Sequence, residues 1–329
     1  MPLDPTEPPN VMILSAGRRG LLVSYFREEL RRLEPMAKLV AADLDPQWSA
    51  ACHLADVFVQ TPSARDSNFI EQLLETCLER RVRLVIPTID TELLPLSRNR
   101  ERFEAAGIQV VVSGHELTTR CRDKRLTAEV FAAGGVRVPA EVDPNDERSY
   151  PLVAKPRDGS SSQNLHIAYL RHDLPNTAFD DPNMIFQEFL APEEHDEYTV
   201  DMYYDRGGKL RCFVPRMRVA TRAGEVSKAK TARIDALQLL GDRFATLPGA
   251  AGCLTMQVFV RRVDKSLIGI EINPRFGGGY PLSYEAGANY PRWVLGEYLR
   301  DDEIPWFDGW QDGLAMLRYD AHVLVPSAA

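Results

Sequence analysis

The chain has 329 residues, 44% hydrophobic and 26% charged. That is material for about two globular domains, and it excludes a disordered tail protein, a collagenous repeat and a disulfide miniprotein. A formal charge of −8 without a long basic run excludes binding to a nucleic-acid duplex through phosphate neutralisation. No uninterrupted apolar stretch reaches membrane-spanning length.

The first ten residues carry Pro2, Pro5, Pro8 and Pro9 and lack a basic region followed by an apolar one. They read as a disordered lead (1–10) rather than a signal peptide. Cys52, Cys77, Cys121, Cys212 and Cys253 are odd in number and form no CxxC pair. Buried or incidental thiols in a reducing cytoplasm are the expectation.

Val11–Leu14 predicts a buried strand running into Ser15–Gly20. A helix with Leu22, Phe26, Leu30 and Leu33 on one face follows, then a second strand over 39–43. A helix over 69–80 and strands over 84–86 and 108–112 continue the alternation. Strands alternating with helices imply βαβ units, hence a Rossmann-like parallel sheet with its ligand edge at the strand C-termini. Gly17 and Gly20 do not complete the three-glycine dinucleotide spacing, so an NAD-dependent oxidoreductase stands only as an alternative. Arg18 and Arg19, at a helix start, suit a substrate anion. Asp90 and Glu92 concentrate polar groups at the same sheet edge and form a second candidate substrate wall.

From residue 117 the pattern changes. A helical stretch over 117–134 carries Asp123-Lys124, and residues 151–155 predict a strand ending in Lys155. The loop 156–164 contains Gly159, Ser160 and Ser161, whose backbone N–H groups can converge on an anion before a return strand at 165–168. Another strand, 184–190, includes Glu188, Phe189 and Leu190. Period two over 197–204 puts Glu197, Thr199 and Asp201 on one face. In 267–273, Ile268, Ile270 and Ile272 alternate against Gly269, Glu271 and Asn273, with Gln257 on the preceding strand able to lie alongside. One carboxylate and two amide oxygens suit Mg²⁺, with Mn²⁺ as a substitute. Arg275 follows at the strand end, where it can meet charge developing in phosphoryl transfer.

Glu271-Ile272-Asn273-Pro274-Arg275-Phe276-Gly277, with the features before it, resembles the ATP-grasp enzymes, specifically the large subunit of carbamoyl phosphate synthase reduced to one unit. The resemblance implies a pre-ATP-grasp domain over 11–116 and a two-lobed ATP-grasp domain over 117–310. The small lid lobe would span about 150–188, and a C-terminal tail over 311–329 would pack on the body. It implies ATP and Mg²⁺ as cofactors. Lys124, Lys155, Gly159, Ser160 and Ser161 would meet phosphates, Glu188, Phe189 and Leu190 the adenine, and Glu197 the ribose. Gln257, Glu271 and Asn273 would hold the metal. Arg275, Lys228 and Lys230 would be catalytic, within a stretch that also holds Arg216 and Arg218. The expected reaction is ligation of a small carboxylate to an amine or other nucleophile through an acyl phosphate. Its partners are small molecules rather than nucleic acid or membrane, with a homodimer as an open arrangement. A non-catalytic ATP sensor is the alternative from another class. The Ser-rich loop departs from the family's glycines, and one unit does not make a complete carbamoyl phosphate synthase.

Overall fold

The computed structural model describes residue 3 and residues 7–158, 164–222 and 224–326. Five short apolar runs form the first sheet: Asn10–Ile13 (β1), Leu39–Asp43 (β2), Val57–Gln60 (β3), Val82–Ile86 (β4) and Gln109–Val110 (β5). Their order is β3-β2-β1-β4-β5 with every pair parallel. Helices Gly20–Leu33 (α1), Phe69–Glu79 (α2) and Asp90–Ala105 (α3) make the crossovers. A sheet covered on both faces explains why Val11 to Leu14 is apolar without alternation. The lead expected to be disordered is partly tied down: the Leu3 N–H donates to Ala106 O (3.3 Å), and Asn10 already opens β1.

The helical pattern at 117–134 is two helices, His115–Arg122 (α4) and Lys124–Ala133 (α5). Asp123 is extended between them (φ −102°, ψ 121°), and its side chain accepts from the Arg125 N–H as an N-cap. Leu152–Pro156 (β6), His166–Ala168 (β7) and Met184–Glu188 (β8), with the short helix Asn176–Asp180 (α6), form a small antiparallel sheet in the order β7-β6-β8. This sheet has a core of its own around Leu152, Ala154, Leu174 and Met184.

The largest sheet collects His195–Tyr204 (β9), Leu210–Arg222 (β10), Glu225–Thr231 (β11), Gly252–Arg261 (β12) and Leu267–Asn273 (β13). Asp235–Arg243 (α7), Pro281–Glu285 (α8) and Tyr290–Arg300 (α9) pack around it, and Ala315–Leu317 (β14) adds to its edge. The order is β13-β12-β9-β10-β11-β14. Residues 315–317, in the stretch expected as a tail, are therefore sheet-paired.

Register decides what each face carries. Thr199 pairs with Arg216 on one side and Gln257 on the other, and Gln257 pairs with Glu271. Glu197, Thr199, Asp201, Arg216, Gln257 and Glu271 therefore share one face. The other face carries Val200, Met202, Met256 and Ile272 into a core. Further along the polar face, Tyr203, Val214 and Cys253 join β1, α1 and α9 in one continuous core. The first sheet and the large sheet are thus packed together rather than strung on a linker.

Period two breaks in β13. Gln257 pairs with Glu271, but the next residue, Val258, pairs with Gly269, so Ile270 is the extra residue of a β-bulge. Gly269 turns to the core, where a Cβ would lie 2.5 Å from the Phe131 ring. Ile270 sits with Glu271 against the cavity described below. The expected Ile268/Ile270/Ile272 face is therefore not a single face.

On the polar face, Asp201 and Arg216 form a fully buried pair. Arg216 donates through Nε (2.7 Å) and Nη2 (2.9 Å), and the Ser283 hydroxyl donates to the same carboxylate at 2.6 Å. Gly279 lies over this pair, and a Cβ there would stand 2.1 Å from Arg216 Nη1. Because Asp201 fixes that guanidinium, Gly279→Ala is expected to cost about 1–3 kcal/mol by overpacking in urea unfolding. Gly278→Ala, with nothing within 4 Å, serves as the neutral control.

Candidate nucleotide and metal site

A cavity of about 670 Å³ opens between the small and large sheets. Lys155, at the end of β6, and Lys124, opening α5, stand on one side of it. Glu188, Phe189 and Leu190 line it where β8 runs out, and Glu197, Gln257 and Glu271 come from the polar face of the large sheet. Residues far apart in sequence thus converge on one space. Gly159, Ser160 and Ser161 lie outside the described residues.

Burial sets the electrostatics. It pulls the Lys155 ammonium down to about 8; Lys124 nearby pushes the same way, and Glu271 opposes. Burial also lowers Lys124, against the pull of Glu271. The Lys124 Nζ donates to Pro156 O at 3.0 Å, tying the helix start to the end of the β6 strand. Burial raises the Glu197 carboxyl, while its ion pair with Arg218 (3.2 Å) works the other way. Glu188 accepts from Arg137 Nη1 (2.6 Å) and the Ala140 N–H (2.8 Å), so its side chain braces the hinge strand.

Asn273 Nδ2 donates to Glu271 Oε1 at 2.9 Å, leaving the Asn273 amide oxygen as an acceptor beside the carboxylate. Among the described residues no group of three or more His, Cys, Asp or Glu side chains could hold a metal alone. One carboxylate with two amide oxygens fits Mg²⁺, which keeps waters and takes remaining oxygens from phosphates.

Arg275 follows two residues after β13, and its Nε and Nη2 donate to the two oxygens of Asp90 at 3.0 and 3.1 Å. Burial pushes the Asp90 carboxyl up, but Arg275, with Arg122 and Arg19, holds it below the usual carboxylate range. Arg19 donates to Phe276 O (3.0 Å) and Thr88 O (2.8 Å), and burial, then Arg275, lowers it to about 10. Both residues therefore join the first domain to the glycine-rich turn after β13.

Glu92 is the third residue of α3. It accepts from the Ser15 hydroxyl and from the N–H groups of Thr88 (3.0 Å) and Ile89 (3.3 Å), and burial raises it to about 7. Of the two acids read as a substrate wall, Glu92 thus holds its own helix start, while Asp90 faces Arg275. Arg18 is exposed and pairs with Glu225 at 3.3 Å.

Lys228 and Lys230 are exposed on β11, between β10 and β14, and do not line the cavity. Arg218 lines it instead. The signal for Arg218 was its two-residue offset from Arg216 on a strand. At the turn where a dinucleotide would sit, the Asp43 carboxylate accepts from the backbone N–H groups of Gly17 and Leu44, both at 2.7 Å.

The family described as PylC-like, N-terminal domain, matches residues 11–111. That described as ATP-grasp in the biosynthetic pathway with Ter operon matches residues 180–316. Residues 180–316 thus belong to an ATP-grasp domain. Among solved structures, the chain is similar to the biotin carboxylase–βγ-ATP complex from Campylobacter jejuni: 16% identity, TM-score 0.65, over 88% of this chain and 70% of that one. It is also similar to N5-carboxyaminoimidazole synthetase from Staphylococcus aureus complexed with ADP (15%, 0.67, 88% and 77%). An L-amino acid ligase from Bacillus licheniformis gives 16%, 0.65, 90% and 75%. At these identities the likeness is one of fold. No curated protein matches the chain in sequence. Among the described residues no helix is long and apolar enough to cross a membrane.

Proposed function

We propose that this ATP-grasp ligase uses MgATP to activate a small carboxylate as an acyl phosphate and passes the acyl group to an amine. The convergence of Lys124, Lys155 and Glu271 on one cavity behind the Glu188–Leu190 hinge carries this reading. A carboxylate oxygen attacks the γ-phosphorus and ADP leaves with the bridging oxygen. The amine nitrogen then attacks the acyl carbon, phosphate leaves, and the nitrogen gives up a proton. Lys124 and Lys155 neutralise phosphate charge, Glu197 receives the ribose hydroxyls, and backbone groups of 188–190 meet the adenine. Gln257, Glu271 and Asn273 would hold Mg²⁺, which supplies charge neutralisation across the transferred phosphoryl group. Arg275, oriented by Asp90, faces the acyl group.

In this reading residues 11–116 form the first domain, 117–310 the ATP-grasp domain with its small lobe at about 150–188, and 311–329 a tail. The five free cysteines support a reducing compartment, the cytoplasm. Release of ADP and phosphate, screened over amino acids, bicarbonate and ammonia with MgATP, tests the proposal. Nucleotide binding without turnover under every condition would favour a sensor.

Two outcomes follow. The Lys155 pKa of about 8 means its cation is present at pH 7 and lost as pH rises through that value. Since phosphate binds the protonated form, MgATP affinity is expected to fall between pH 7 and 9, with proton uptake on binding at the upper end. Calorimetry in two buffers of different ionisation enthalpy measures both, and Lys155→Arg should remove the dependence.

Carbamoyl phosphate formation takes two phosphoryl transfers, and the chain has one Glu271–Arg275 segment and no internal repeat to supply another. Bicarbonate, ammonia and MgATP are therefore expected to give no citrulline when coupled to ornithine and a transcarbamoylase. Steady citrulline above the enzyme-free control would refute this and point to a homodimer pairing two identical sites.

A further inference from the structure

Arg122 is a guanidinium beside the cavity to which the mechanism above gives no task. It ends α4, and the break at Asp123 separates it by one residue from Lys124 at the start of α5. Both residues line a second, small pocket of about 30 Å³, whose polar walls also include Thr118, Asp90, Glu271 and Asn273. Lys124 and Glu271 line the large cavity as well, so the two spaces share a wall.

Neighbouring arginines are spent. Arg275 is held by Asp90, Arg19 by two carbonyls, Arg218 by Glu197, and Arg157 by Asp123 at 3.1 Å. Among the described residues Arg122 makes neither a hydrogen bond nor an ion pair. It stands near enough to Lys124 to oppose that charge, and near enough to Asp90 and Asp158 to favour theirs. Those two carboxylates have other partners, Asp90 with Arg275 and Asp158 with the Asn183 amide at 2.7 Å. Arg122, Lys124 and Lys155 thus stand together, opposed by Glu271 and by Asp90 and Asp158, which already hold those other partners. Like charges held partly out of water raise the free energy of the empty site, and an arriving anion relieves it.

If the hinge at 188–190 takes the base and Lys155 the phosphates, the pocket shared by Lys124, Glu271 and Arg122 lies where the triphosphate ends. We propose that Arg122 binds the γ-phosphoryl group of ATP and stays on it during transfer. The bond from phosphorus to the β–γ bridging oxygen breaks while the bond to the substrate oxygen forms, and Arg122 keeps its proton throughout. This rests on the reading of the large cavity as the ATP site.

The test compares MgADP with the Mg²⁺ complex of the β,γ-imido analogue of ATP by calorimetry, on the wild type, Arg122→Gln and Arg122→Lys. Loss of a charge-assisted contact is expected to weaken the triphosphate analogue about tenfold in Arg122→Gln. MgADP affinity should stay unchanged, which also reports an intact fold, and Arg122→Lys should fall between. Equal analogue affinity in wild type and Arg122→Gln would overturn the proposal, as a residue contacting only the acid substrate behaves that way. Equal losses for both nucleotides would also overturn it, showing a structural role at the α4–α5 break. Failure of the wild type to bind MgADP would sink the nucleotide reading itself.

Discussion

Glu271→Gln is expected to leave the fold intact and to lower turnover at least about 100-fold, the upper end for groups that merely support a metal ligand. The substitution keeps the shape and removes the one carboxylate among the three oxygen-bearing side chains proposed for the metal. Asn273, whose amide now orients on Glu271 Oε1, loses a charged partner as well. The core side of β13 does not register the change, since Ile272 and Gly269 face the other way. Steady-state ADP release against Mg²⁺ concentration measures the effect. Wild-type turnover, or an unfolded variant by circular dichroism, would show that Glu271 is structural.

Arg216→Met acts on stability instead. Removing the guanidinium strands the Asp201 carboxylate in a wholly buried position, with the Ser283 and Thr255 hydroxyls as its remaining side-chain donors among the described residues. Breaking one side of such a pair costs about 3–5 kcal/mol, whereas replacing both partners with apolar groups is far milder. Urea unfolding of Arg216→Met, Asp201→Leu and the double variant forms the cycle. Losses in the double variant equal to the sum of the singles would show that the two side chains do not act as a pair.

These two sites differ in how far they could be read beforehand. The Glu197/Thr199/Asp201 face was legible from alternation alone, because β9 lies in the middle of the sheet and keeps strict register. Alternation also put Glu271 opposite the core, but it assigned Ile270 to the wrong side, since a bulge leaves no mark in a run of isoleucines. Alternation placed Asp201 on the face of Glu197 and Thr199, and the packing of Ser283 and Arg216 around it shows a sealed pair. Lys228 and Lys230 looked like phosphate cations, yet their strand lies next to the sheet edge and holds them out to solvent. The Asp123 break was readable as an N-cap signal but was masked by apolar positions continuing across it. The Asp90–Arg275 contact spans 185 residues and has no local signature.

The same contact bears on how such enzymes can be taken apart and recombined. Among the described residues, every one that lines the large cavity comes from residue 124 or later, so an excised fragment or a chimera with a foreign first domain would inherit that lining. It would not inherit the Asp90 carboxylate that clamps Arg275, nor the Thr88 carbonyl and the Arg19 side chain that tie the glycine turn down. A graft across residue 116 therefore has to supply that acid and the Arg19 bridge as well as the apolar surface that packs on Tyr203, Val214 and Cys253. A swapped domain carrying an aspartate or glutamate at that position is the one to choose.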